Sequence, residues 1–136
     1  MPLDVHVVTP EREIWSGQAS TVIARGVEGE VGILAGHAPL MVRLAIGPLK
    51  ILRESEGELA AVVDGGFMHV TSAGEDTRVD VLAAQAQLLD EIDVEAARRR
   101  ADELEERLRD TDTDDAEGGG LTEALHKAQA RINLAG

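Results

Sequence analysis

The chain has 136 residues, enough for one domain with an appendage, and no cysteine, which removes disulfides, thiolate nucleophiles and sulfur metal ligands together. Its 26 Asp and Glu against 13 Lys and Arg give a formal charge of −13, which excludes a nucleic-acid surface because phosphate binding needs clustered Lys and Arg. One Trp, one Phe and no Tyr leave the core to Val, Leu, Ile and Ala.

Without cysteine a reduced, cytoplasmic setting is the expectation. The N-terminus shows no basic region followed by an apolar run, so no secretory signal is expected. The longest uncharged run, 31–42, holds 12 residues with two glycines and a proline, far short of the roughly 20 that cross a bilayer. Membrane association is therefore expected only through a partner.

Short apolar segments punctuated by Gly, Pro and Asp fill the first 84 residues and predict strands at 3–8, 21–25, 31–34, 41–44, 49–53, 59–64, 67–71 and 78–82. Val5 and Val7 alternate with Asp4 and His6, and Val79 and Val81 with Arg78 and Asp80, as half-buried strands do. Asp64-Gly65-Gly66 between two apolar runs predicts a hairpin turn. So many short strands in so few residues indicate a sandwich or flattened barrel.

From residue 85 the period changes. Val94, Ala97, Ala101, Leu104 and Leu108, then Leu121, Leu125, Ala128, Ile132 and Ala135, recur at helical spacing and predict two amphipathic helices in a hairpin. Asp90 or Asp93 is the expected N-cap, and Gly118-Gly119-Gly120 is expected to break the rod. Glu95 with Arg99, Glu103 with Arg107 and Glu105 with Arg109 are spaced for i,i+4 pairs. The alanine-rich stripes leave little apolar area to offset the ordering entropy, so the hairpin is expected to be marginal alone and to dock elsewhere.

Residues that invite a chemical reading mostly lose it on spacing. Asp110, Asp112, Asp114, Asp115 and Glu117 suggest calcium, but an EF-hand needs Gly where Asp115 stands and Glu where Leu121 stands, so a solvated acidic loop is expected. His6, His37, His69 and His126 form no metal-ligand spacing, and no metal site is expected. His37 beside Pro39 reads as a turn histidine bonded to backbone, with an interface role as the alternative. Gly29, Gly32 and Gly36 lack the Lys-Ser/Thr of a phosphate loop and read as backbone geometry. Trp15, next to Ser16-Gly17, reads as a core plug. No nucleophile or cofactor loop is visible, so no catalytic residue is expected.

The glycine-bent run EGEVGILAGHAPL over 28–40, with PEREIWSG at 10–17, VDGGF at 63–67 and VDVLA at 79–83, resembles the epsilon subunit of bacterial F-type ATP synthases. The resemblance implies an α+β chain: a β-sandwich of about ten strands over residues 1–84, then a two-helix antiparallel hairpin over 85–136. It implies a non-catalytic central-stalk subunit, part of the rotor that couples proton flow to ATP synthesis, peripheral at the cytoplasmic face of the cell membrane. The partners implied are the gamma subunit, the c-subunit ring, and the alpha and beta subunits when the hairpin is extended.

By the same resemblance Glu30 and His37 would contact the c ring. Arg98, Arg99, Arg100, Arg107, Arg109, Lys127 and Arg131 would be the basic residues of an inhibitory hairpin that approaches acidic segments of the beta subunits. Some relatives bind ATP through an I/L-D-x-x-R-A motif and basic residues of the second helix; the matching residues here are Ile92, Asp93, Lys127 and Arg131. Ala96 replaces the motif's arginine, which removes a guanidinium fork for phosphate, so ATP binding is expected to be weak or absent and no cofactor is expected. The alternative function is a free-standing sandwich adaptor whose hairpin binds some other protein.

Overall fold

The alternation in LDVHVV works as the sequence dictates: β1 (Leu3–Val8) turns Leu3, Val5 and Val7 fully inward and leaves Asp4 exposed. The computed structural model describes residues 2–111 and 116–136. After β1 follow β2 (Glu13–Ala19), β3 (Thr21–Gly26), β4 (Gly29–Leu34), β5 (Leu40–Arg53), β6 (Gly57–Ala73), β7 (Asp76–Ala83) and β8 (Ala86–Leu88). They pair in the order β2-β1-β7-β6-β5-β3-β4, with β8 on β6. Every neighbouring pair is antiparallel except β1 with β7, which run parallel from Leu3 opposite Thr77 to Val8 opposite Leu82.

One core collects side chains from both halves of this path: Leu3, Val5 and Val7, Val22 and Ala24, Ile33, Leu49 and Ile51, Ala61 and Val63, Met68 and Val70, Val79 and Val81. A flat sheet cannot bring those faces together; two stacked layers can, and this is the predicted sandwich. The layers are made by bending two long strands. Pairing of β5 with β6 is interrupted at Ala45 opposite Gly65, and the register of β3 on β5 jumps between Ala24 and Gly26. With β5 and β6 each counted as two straight segments, the eight strands supply about ten.

Asp64-Gly65-Gly66 is therefore a bend inside one strand, not the hairpin turn its sequence predicts. Gly65 and Gly66 take left-handed φ of +86° and +120°, and the chain continues as β6. A Cβ on Gly66 would collide with the Leu82 carbonyl and sit 2.8 Å from the Ala83 Cα. Two hydrogen bonds secure the bend, Asp64 N–H to Gln85 O at 2.8 Å and Ala84 N–H to Gly65 O at 3.2 Å. The expected strands at 41–44 and 49–53, and at 59–64 and 67–71, merge in the same way into β5 and β6.

β2 has no counterpart in the sequence reading, because Ser16 and Gly17 interrupt its apolar pattern. Gly17 is there for Trp15: a Cβ at 17 would lie 2.7 Å from the indole. The ring packs half-buried against the core, close to Val7, Ile14, Leu49, Ile51 and Leu88, as its reading as a plug requires.

Two units divide the chain, Met1–Leu89 and Asp90–Gly136. The division falls after Leu89 and not after residue 84, because Ala86, Gln87 and Leu88 pair with Val63, Val62 and Ala61 of β6. A 3-10 turn (Leu89–Glu91) begins on the last residue of the first unit and is followed by α1 (Val94–Arg109), capped by the Asp93 carboxylate accepting from Ala96 N–H at 3.0 Å. α2 (Ala116–Ala135) packs against α1, burying Leu121 and Ala128, while α1 buries Ala97, Ala101 and Leu104.

Here the structure departs from expectation twice. Gly118, Gly119 and Gly120 lie inside the first turns of α2, where Thr122 Oγ1 donates to the Gly118 carbonyl at 2.8 Å, and the break between the helices precedes them. The ion pairs of α1 are i,i+3, Arg98 with Glu95 at 3.6 Å and Arg100 with Glu103 at 3.4 Å, so Glu95 and Glu103 are already engaged away from Arg99 and Arg107. All are exposed and contribute little.

Gly66→Ala should destabilise the sandwich by at least about 1–3 kcal/mol, measured by urea unfolding followed through Trp15 fluorescence, since it meets both strain and collision. Gly119→Ala with Gly120→Ala should have the opposite sign. Open space surrounds both positions, and each helical Gly costs up to about 1 kcal/mol against Ala, so helicity and its thermal midpoint should rise.

Candidate interaction surfaces

Since Met68, Val70, Val79, Val81, Val5 and Val7 point inward, their neighbours along β6, β7 and β1 form the opposite, solvent face. The register sets them in rows. Arg43, Phe67, Leu82 and Val8 stand side by side on β5, β6, β7 and β1; the next row runs Met41, His69, Asp80, His6, Ser16; a third runs Thr71, Arg78, Asp4, Gln18. Phe67 and Leu82 are each 48% exposed and Met41 57%. Phe67 and Leu82 share a shallow apolar groove with Val8 and Pro10. Large apolar side chains concentrated in this way on a rigid sheet mark a protein-binding surface.

The charged part of the face contains one close ion pair. Arg78 Nε lies 3.0 and 3.1 Å from the two carboxylate oxygens of Asp80, and this carboxylate raises the guanidinium pKa further above its ordinary value. His6 Nε2 lies 3.3 Å from Asp4 Oδ1 and Nδ1 3.8 Å from Glu13 Oε1. Neither His6 contact is a well-formed hydrogen bond. A half-apolar, half-ionic face fits a protein partner with matching polar groups. Sequence reading passed over Phe67 and Leu82 because it sought the apolar residues of β6 and β7 inside; the signal was available, since FM and VL place apolar residues on both faces at once.

Residues 28–40 form the second surface. β3 and β4 join through Val27 and Glu28, with Gly26 opposite Gly29 and Gly29 at φ +137°. Glu30 is exposed on β4 opposite Arg25. A groove lined by Val27, Glu28, Glu30, Met41 and Arg43 opens beside this turn. His37 lies beyond the other end of β4. Its N–H donates to Leu34 O at 3.1 Å, and its ring Nδ1 donates to Ala38 O at 2.7 Å, the backbone-bonded turn histidine expected. With Nδ1 committed, Nε2 is the acceptor of the neutral ring. Glu30 and His37 are thus set at opposite ends of a strand, about 13 Å apart along it between Glu30 and Leu34 alone, and are not brought side by side.

The basic residues of the second unit occupy several positions on the hairpin. Arg98 and Arg100 are in the exposed pairs already described, Arg107 and Arg109 stand in the last turn of α1, and Arg99 is exposed between. Arg131 donates to the Lys127 carbonyl at 2.9 Å. Because the connection is short and the helices pack together, they run antiparallel, which puts Ile92 and Asp93 at the same end as Lys127 and Arg131. Asp93 is occupied as the cap of α1, and Ala96 supplies only a backbone N–H there. Of the acidic loop, Asp112, Asp114 and Asp115 lie outside the described residues. Among the described residues no cluster of three His, Asp or Glu is placed to hold a metal, and no helix is long and apolar enough to cross a membrane.

A model of the ATP synthase delta/epsilon chain β-sandwich domain matches residues 2–89, which is the first unit almost end to end. The chain belongs to the ATP synthase delta/epsilon family. The epsilon chain of Thermobifida fusca is 52% identical over 71% of this chain and 69% of its own length. That of Synechococcus elongatus is 39% identical over 100% of this chain and 96% of its own, so the likeness extends through the helices. A chain of the Euglena gracilis mitochondrial ATP synthase superposes with a TM-score of 0.83 at 26% identity, covering 99% of this chain and 82% of that one. The expectation of an ATP synthase epsilon chain is met, and family membership displaces the adaptor alternative.

Replacing Asp93 by Ala should remove the cap of α1 and cost about 1 kcal/mol, seen as lost helicity in far-ultraviolet circular dichroism with Trp15 fluorescence unchanged.

Proposed function

We propose that this epsilon chain is a non-catalytic rotor subunit: the sandwich binds the gamma subunit and rests on the c ring, and the hairpin restrains ATP hydrolysis. The observation that carries this reading is the solvent-facing patch of Phe67, Leu82 and Met41 on a sheet whose other side is core. A platform that transmits torque must hold its partner on a rigid surface, and this face offers apolar area beside charged rows. Gamma is its proposed occupant. The turn at Val27 to Glu30 and the loop carrying His37 are the proposed contacts to the c ring, reached from the two ends of β4. Held by these partners, the chain sits at the cytoplasmic face of the cell membrane.

The hairpin's part rests on its chemistry. Its buried residues are alanine, glycine and single leucines, so its own packing is thin, and its arginines suit the acidic segments of the beta subunits. A weakly packed element with two docking options needs only a few kcal/mol to change place. ATP is not proposed as its regulator, because Ala96 offers no guanidinium and Asp93 is spent on the cap.

In complexes assembled into vesicles, Glu30→Ala with His37→Ala should lower proton pumping per ATP hydrolysed while the isolated chain keeps its thermal midpoint within the small change usual for surface substitutions. Unchanged pumping would refute the c-ring contact. Truncation after Leu89, which keeps β8, should leave a sandwich that binds gamma and should raise ATP hydrolysis; equal rates would end the brake. Calorimetric titration of the isolated chain with ATP should show no micromolar binding, and Ala96→Arg should gain affinity.

A further inference from the structure

Ser72 and Thr77 face one another as a cross-strand pair near the turn that joins β6 to β7. Both reach out of the sheet to the loop between β4 and β5. Thr77 Oγ1 accepts from the Gly36 N–H at 2.8 Å, and Ser72 Oγ donates to the His37 carbonyl at 2.9 Å. The two bonds bracket Gly36 and His37, one at each end of that dipeptide. They come from residues distant in sequence, so they tie the loop to the sheet and not merely to itself.

The identity of Thr77 points to this use. It is only 3% exposed, on a strand whose other inward residues are Val79, Val81 and Ala83, and valine would fill the same volume without a polar atom. A buried hydroxyl persists where it has a hydrogen bond to make, and here that bond is to the loop. The loop needs it. Gly36, at φ +86°, has no side chain to pack, so beyond the partly buried Ala35 the bonds from Thr77 and Ser72 supply an attachment of this loop to the sheet.

We propose that the Ser72–Thr77 pair is a positioning clamp that sets the pose of residues 35–39, and with it the direction in which His37 is presented to the partner subunit. This rests on the reading of that loop as a partner contact. Ser72 and Thr77 act through the backbone of Gly36 and His37. The exposed turn beyond them, with Gly74 at φ +65° and Glu75 at its tip, is carried on the same pair of strands.

The test uses the full chain and the assembled complex. Thr77→Val should speed hydrogen exchange of the Gly36 amide about fivefold to tenfold, the factor carried by one ordinary hydrogen bond, with the sandwich's urea midpoint little changed. Thr77→Ser should restore slow exchange, and Ser72→Ala, at an exposed position, supplies a second variant should the valine disturb packing. Because the chain has no cysteine, Ala38→Cys is a unique crosslinking label on the loop. In the complex, its crosslinking yield to neighbouring subunits and the proton-pumping ratio should both fall with Thr77→Val or Ser72→Ala and recover with Thr77→Ser.

Unchanged Gly36 exchange in both variants would overturn the clamp. Faster exchange with unaltered crosslinking and pumping would overturn its positioning role, provided that Glu30→Ala with His37→Ala still lowers pumping. If that double variant is also silent, the partner-contact reading of the loop fails first and the proposal falls with it.

Discussion

The sandwich depends on the ability of β6 to leave one layer and enter the other without ending. Gly65 and Gly66 make this possible by taking left-handed φ, and Gly66 does so where the Leu82 carbonyl leaves no room for a side chain. Were the strand straight, Ala61 and Val63 could not face the same core as Met68 and Val70. β5 must turn with it, and the turn falls at 45–48, where a Cβ on Gly47 would crowd the Arg25 side chain at 3.1 Å. Beside the bend of β6, β7 leads into β8 through Ala84 and Gln85, both hydrogen-bonded to the bend.

Everything proposed about function is hung on this frame. The outer face is usable as a binding platform because its rows are held in register by continuous ladders across four strands, with no loop in between. The 28–40 segment, by contrast, begins as a strand and ends as a loop. Its strand part is positioned by pairing with β3, and its loop part by side chains borrowed from a distant hairpin. Rigidity is therefore supplied by main chain in one place and by two hydroxyls in the other.

The sequence carried the fold class openly. Alternation in LDVHVV and in RVDVLA, and the change to helical spacing after residue 85, translate directly into β1, β7, α1 and α2 because one face of each is buried. What it hid has a common cause: local signals that mean different things in different tertiary surroundings. Asp-Gly-Gly reads as a turn, since nothing local shows that Leu82 and Ala83 will approach it. Three glycines read as a helix break, since nothing local shows that Leu121 and Ala128 will hold the turn against α1. For the surfaces, the motif residues Glu30 and His37 were legible as polar, but their separation along β4 was not, and Phe67 and Leu82 were overlooked because apolar residues suggest a core. Ser72 and Thr77 carry no motif at all; only the fold brings them to the loop.

The parallel pairing of β1 with β7 has a consequence for how the chain is made. On emerging from the ribosome β1 finds one of its two neighbours, β2, at once, but its other edge stays open until β7 has been synthesised. Pairings so distant in sequence are slow to form and leave apolar surface exposed meanwhile. The sandwich thus closes only when nearly all of its own sequence has emerged, with the helical segment still to be translated. That order lets the sandwich close without help from the helical segment.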